Sequence, residues 1–262
     1  VGSEAEVERE LEGRAGEERE ATRVELVGRG LPPVGRGHFL DDAAVGVPQL
    51  DVVRRAGHPA TELSMGMSGD YEVAVEDFQL AREMGLIASM HCAGAAARVP
   101  DGWDRLAQAG LLGDNNNIVH GNDLTDDQLK FMLDRGVTFS LTPETEMFQG
   151  HGFAITGRLR KMGHQPSLGV DLESCISGDM FTVARMAMAS QRAFDNAQSK
   201  QEHGKLPDTS TITAREALAW VTVEGARMLK MQDRIGTLTP GKQADVVLIR
   251  ATDLNMQPVH DA

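Results

Sequence analysis

Three short apolar runs each end on a side chain able to do chemistry. LIASMH ends on His91, NIVH on His120, and SLGVD on Asp171. Imidazole and carboxylate groups ligate and move protons. A lone histidine is more often a satisfied structural group than a ligand. Three such groups, each at the C-terminal end of its own run, point instead to one shared site.

The runs themselves read as buried strands, being apolar and too short for helices. Leu63–Ser68 and Val137–Leu141 add two more, the second rich in β-branched and aromatic residues. Between them lie helical segments. Glu72–Met84 is stopped by Gly85 and Trp103–Ala109 by Gly110. A capping box at Thr125–Gln128 opens a helix that runs to Arg135 and ends at Gly136. Phe153–Met162 and a long stretch over Asp179–Lys200 also read as helix, and a second capping box at Thr213–Glu216 starts another. Such alternation implies an α/β fold with a parallel sheet and outer helices. A doubly wound sheet and a (β/α)8 barrel both fit it. Polar residues converging at the C-terminal strand ends favour the barrel.

Composition bounds the rest. The chain has 262 residues, 41% hydrophobic and 25% charged, as expected of one large α/β domain. Its net charge of −13 argues against a nucleic-acid partner, which needs clustered Lys and Arg. No run approaches ~18 apolar residues and no apolar segment opens the chain, so neither a membrane span nor a signal peptide is expected. Cys92 and Cys175 sit in different motifs and read as free thiols in a reducing compartment, with the cytoplasm as default. Residues 1–60 lack a period and read as an irregular or disordered extension, with one short helix candidate at Val7–Leu11. The methionines from Met180 to Met188 read as a core-packing helix face. Gly150-His151-Gly152 does not follow a strand as a dinucleotide loop does, and Gly241-Lys242 lacks the upstream glycine of a P-loop.

Four motifs in order resemble the amidohydrolase superfamily, in its cytosine-deaminase-like and chlorohydrolase-like branch. They are SMHCAG around His91, IVHGNDL around His120, TPETEMFQGHGFAITGRLRKMGHQPSLGVD up to Asp171, and DRIGTLTPGKQADVVLI over Asp233–Ile249. The resemblance implies an incomplete TIM-type (β/α)8 barrel over 61–230. Residues 231–262 would be the start of the family's small β-sandwich, in a chain incomplete at both ends. It further implies a metal-dependent hydrolase of non-peptide C–N bonds, a deaminase or amidase of cyclic or heterocyclic small molecules, with one divalent ion, zinc or iron. On that resemblance His91 is a metal ligand. His120 is a ligand or contacts the substrate and the metal-bound water. Asp171 ligates the metal and carries the proton to the leaving group.

The sequence departs from the family pattern in three ways. His-x-His, which supplies two ligands from the first barrel strand, occurs nowhere, and His38 and His58 stand alone. A (β/α)8 barrel takes about 250 residues, whereas only about 170 lie between Thr61 and Lys230. Sheet edges left open in this way favour a homo-oligomer or an intact partner subunit. Gly94 stands where many deaminases of this branch carry an acid–base Glu. Glu146 is a candidate substitute, its alternative being a solvated loop carboxylate. His151 either faces the substrate or lies in a surface loop, and Glu173, just past Asp171, is open in the same way. Two readings follow: a metal-dependent hydrolase, or a catalytically inactive truncated relative.

Overall fold

A computed structural model describes residues 24–26, 62–65, 71–92, 102–174, 176–250 and 252. Its sheet has six strands: β1 (Val24–Leu26), β2 (Glu62–Met65), β3 (Ile87–Cys92), β4 (Asn116–His120), β5 (Thr138–Leu141) and β6 (Ser167–Leu168). They lie side by side in chain order. β1 pairs antiparallel with β2, and every later pairing is parallel. In a doubly wound sheet the strand order reverses at a switch point. The described sheet has no reversal, which is the arrangement of a barrel wall.

The connections are α1 (Tyr71–Glu83), α2 (Gly102–Gln108), α3 (Asp126–Leu133), α4 (Pro143–Phe148) and α5 (Thr156–Lys161). After β6 come α6 (Met180–His203), α7 (Ala214–Trp220) and α8 (Val223–Met228). Both expected capping boxes form: Thr125 and Gln128 bond each other's backbone N–H at the start of α3, as Thr213 and Glu216 do at α7. Asp179 caps α6, its carboxylate accepting from Thr182 N–H at 2.8 Å.

Paired residues of a parallel ladder share a face. Met90, Ile118 and Phe139 pair in series, and Leu141 pairs with Leu168. This face packs into one core with Phe78 of α1, Leu129 and Met132 of α3, Leu159 of α5, Val183 of α6 and Trp220 of α7. The other face is polar. Asn117 Nδ2 donates to Ser89 Oγ at 2.6 Å, while Thr138 and Ser140 hydroxyls both donate to Asn117 Oδ1 at 3.1 Å. Ser140 and Ser167 Oγ lie 2.7 Å apart, so hydroxyls and one amide cross four strands.

Several elements differ from the sequence expectation. β2 starts at Glu62 and is four residues long, not Leu63–Ser68. β6 is two residues, not Ser167–Asp171: Gly169 N–H still bonds Leu141 O at 2.9 Å, and the left-handed Asp171 (φ 74°) then turns the chain away. α5 begins at Thr156 rather than Phe153. α4 was not expected, although Pro143 at its first turn is a helix-start signal. Met188 packs on the core as expected, but Met180 is exposed. The apolar run Val246–Ile249 forms no strand, and its side chains are exposed. The proposed helix at Val7–Leu11, His38, His58, Gly94 and Cys175 all lie outside the described residues. No helix among the described residues is long and apolar enough to cross a membrane.

Candidate functional site

The register sets the site. Cys92 of β3 pairs with His120 of β4, and Val119 with Ser140 of β5, so β3, β4 and β5 end at nearly one level. At that level the backbone is strained. Only three described non-glycine residues have positive φ, and two of them are His120 (φ 72°) and Asp171 (φ 74°). Left-handed backbone at a non-glycine residue costs energy and collects at functional sites. Gly121 (φ 82°) continues the turn after His120, and its N–H donates to Cys92 O at 2.7 Å. A side chain at Gly121 would press on Leu124, Phe139 and Ile155, so the strand end is clamped against the core.

His120 is buried, and its Nδ1 lies 3.2 Å from Glu146 Oε1 and 3.1 Å from Thr142 Oγ1. Glu146 is fully buried in α4. Its Oε1 also accepts from Thr142 N–H at 2.9 Å, and its Oε2 accepts from Asn122 Nδ2 at 3.2 Å. A carboxylate only accepts, so the proton of the neutral imidazole belongs on Nδ1 and the lone pair on Nε2. Glu146 is therefore not a solvated loop carboxylate. It holds an imidazole in one tautomer.

Two more rings close on His120. His91 meets it edge-on with centroids 5.1 Å apart, and His151 lies tilted at 5.7 Å. His151 thus belongs to the cluster rather than to a remote surface loop. Asp171 is exposed at the turn after β6, on a segment held to α4 by Thr145 Oγ1 donating to Val170 O at 3.0 Å. Glu173 is exposed two residues further on. Cys92, beside His91, is a free thiol whose pKa burial pushes up to about 11, with the charge of Asp123 adding to the effect. Asn122 and Thr142 were not singled out in the sequence. The only available signal was their place, two residues past His120 and one past β5.

Neutral imidazoles side by side suit a borderline metal such as zinc. A full ligand set does not close here: among the described residues no three His, Cys, Asp or Glu side chains converge to hold an ion. The chemistry on view is that of oriented imidazoles and a buried carboxylate at the C-terminal end of a parallel sheet.

The amidohydrolase-family model matches residues 10–262. The chain belongs to the amidohydrolase family. Among relatives of this amidohydrolase, a 5-methylthioadenosine/S-adenosylhomocysteine deaminase of Teredinibacter turnerae is 32% identical over 160 residues, 60% of this chain and 33% of the relative. An 8-oxoguanine deaminase of Pseudomonas aeruginosa is 31% identical over 159 residues, 60% of this chain and 32% of that one. The chain thus spans between about a third and two fifths of the length of the curated relatives it matches. Among solved structures, a zinc-bound adenosine deaminase from Xanthomonas campestris superposes with TM-score 0.62 at 27% identity, covering 74% of this chain and 44% of that one. A mutant of atrazine chlorohydrolase from Arthrobacter aurescens, complexed with zinc and atraton, gives TM-score 0.66 at 19% identity, with coverage of 81% and 48%. At that identity the likeness concerns the fold alone.

Proposed function

We propose that this amidohydrolase is a hydrolase of non-peptide C–N bonds in cyclic or heterocyclic small molecules. The observation that carries the reading is the buried Glu146–His120 pair at the strand ends, with His91 and His151 against it. With Nδ1 held by Glu146, the free Nε2 of His120 can take a proton from water or pass one to a leaving amine. Glu146 offsets the charge that His120 gains as it does so. His151 and Glu173 are proposed to meet the substrate, and the relatives named as deaminases support a nitrogen heterocycle as its class.

The proposal includes one divalent ion, zinc or iron, for which His91 and Asp171 would be ligands and His120 either a ligand or a contact to the metal-bound water; the three side chains do not converge in the described structure, and zinc in the Xanthomonas structure supports the ion. Such an ion, when bound, supplies a water acidified toward neutrality. A cytoplasmic setting, supported by the free thiol of Cys92, and self-association through the open sheet are parts of the same reading.

A second reading has its own support. His-x-His is absent from the sequence and no three-donor cluster closes among the described residues, as in a catalytically inactive relative. Elemental analysis of the purified chain beside a His91→Ala/Asp171→Ala double variant separates the two. It is paired with an ammonia-release screen on heterocyclic amines. Near one metal per chain, lost in the variant together with turnover, is the outcome expected of the hydrolase. No metal and no turnover in either protein would leave the inactive relative.

A further inference from the structure

We propose that Asn122 is a positioning residue that locks the Glu146–His120 pair and the Gly150–Phe153 loop into one unit. This rests on the reading of His120 as the reacting imidazole.

The amide nitrogen of Asn122 donates twice, to Glu146 Oε2 at 3.2 Å and to the carbonyl oxygen of Phe153 at 3.0 Å. Both partners are acceptors, so the amide can face them only with its NH2 group. That leaves Oδ1, which is buried and without a hydrogen-bond partner. The position is shaped around a double donor.

Each of its two bonds holds something different. Glu146 Oε1 is fixed by Thr142 N–H, and Asn122 fixes Oε2. With both oxygens held, the carboxylate plane cannot turn, and the His120 ring facing it is held in register. Without Asn122 the carboxylate keeps only the Oε1 anchor. The second bond acts on the loop after α4. That loop begins where His151 N–H donates to Glu146 O at 2.8 Å and ends at the Phe153 carbonyl that Asn122 binds. Gly150 (φ 80°) precedes this stretch and Gly152 (φ 96°) lies within it, and besides the Asn122 bond the loop is held by His151 Nε2 against Gln149 Oε1 at 3.0 Å and by Phe153 edge-on to Phe194. His151 on this loop lies against His120. One amide therefore ties the ring that moves the proton to the loop that carries its neighbour.

The test is nitrogen-15 histidine NMR of the whole chain, near neutral pH and without substrate, together with amide exchange over 150–153. In the unmodified chain the His120 signals are expected to report one tautomer, with its proton on Nδ1. In Asn122→Ala the His120 signals are expected to broaden into a mixture of tautomers. Exchange over 150–153 should rise about five- to tenfold, the loss of one hydrogen bond, while α6 stays unchanged. Asn122→Asp keeps the size but removes the donors and is expected to behave alike. A lower melting temperature with tautomer and loop exchange unchanged would mean a merely structural side chain and would overturn the proposal. If neither variant folds, the unmodified chain still decides: a proton on Nε2 of His120 overturns it. None of these readouts needs turnover or metal, so a chain that hydrolyses nothing can still pass, and an active one can still fail.

Discussion

Glu146 Oε1 sits 3.2 Å from Nδ1 of His120, and both side chains are buried at the C-terminal end of the sheet. A buried carboxylate is costly unless its lone pairs are used. Here Thr142 N–H, Asn122 and the imidazole use them. The pair joins β4 to the helix that follows β5, so the orientation of one strand-end histidine depends on the next connection in the chain.

Replacing Glu146 separates its two roles. Glu146→Ala removes the acceptor for Thr142 N–H and Asn122 and should cost about 3 kcal/mol of stability in urea unfolding, as expected when buried polar groups lose partners. Glu146→Gln keeps the shape but removes the charge. It should lower turnover of any substrate found by about 10–100-fold, the usual effect of losing a carboxylate behind a working histidine. A Gln variant with unchanged turnover would mean that Glu146 only fills the core.

What the sequence disclosed followed from local rules. His120 at the end of NIVH, the capping boxes at Thr125 and Thr213, and the stop at Gly136 are set by residues near in sequence, and all were readable. Glu146 was singled out only as a candidate acid–base substitute; its hold on His120 was not readable, because that contact crosses 26 positions and lies in the short helix α4. Pro143 could have announced that helix. Asn122 acts on partners at positions 146 and 153, which no local pattern records. β6 was overestimated because the SLGVD pattern gives no warning of the left-handed backbone at Asp171. The strand potential of Val246–Ile249 was legible, but pairing needs a neighbouring strand, and the described residues offer it none.

The polar ladder on the inner sheet face makes its own prediction. Asn117 is buried and bonds Ser89, Thr138 and Ser140 at once. Asn117→Ala leaves three hydroxyls to find other partners and should cost about 2–3 kcal/mol by urea unfolding. Ser167→Ala at the end of the ladder should cost about 1 kcal/mol, since it removes the bond to Ser140 and a long one to the Phe139 carbonyl. Equal losses at the two positions would mean that the ladder does not act as a connected network.

The pKa of the Cys92 thiol is raised from 9.0 to about 11, first by burial and then by Asp123. At pH 8 its thiolate fraction is therefore about 100-fold below that of an ordinary thiol, two units being two powers of ten. Peptide mapping after iodoacetamide treatment should find Cys92 correspondingly slow in the native chain and ordinary in urea. The sign for stability follows from the folded state holding its proton more tightly than the unfolded state. The Cys92 contribution is full below pH 9 and is lost as pH rises toward 11. Cys92→Ser should lose less stability than the parent between these pH values. Equal losses would assign the alkaline transition to other groups.

Val246, Val247 and Leu248 are exposed in succession, Leu248 to 92%, and Ile249 follows. Such a run of β-branched and aliphatic residues has high strand propensity and no charge to block pairing. Outside regular structure it offers its backbone and its apolar side chains to any free sheet edge, including one on another copy of this chain. Val247→Lys places a charge in the middle of the run without touching the core. It should raise the concentration at which the chain remains monodisperse in light scattering, with the urea midpoint unchanged. Val183→Lys, in the buried face of α6, is the contrasting change and should unfold the chain instead. If Val247→Lys leaves association as it was, the sticking surface lies elsewhere, and β6, an edge strand among the described residues, becomes the next place to introduce a charge.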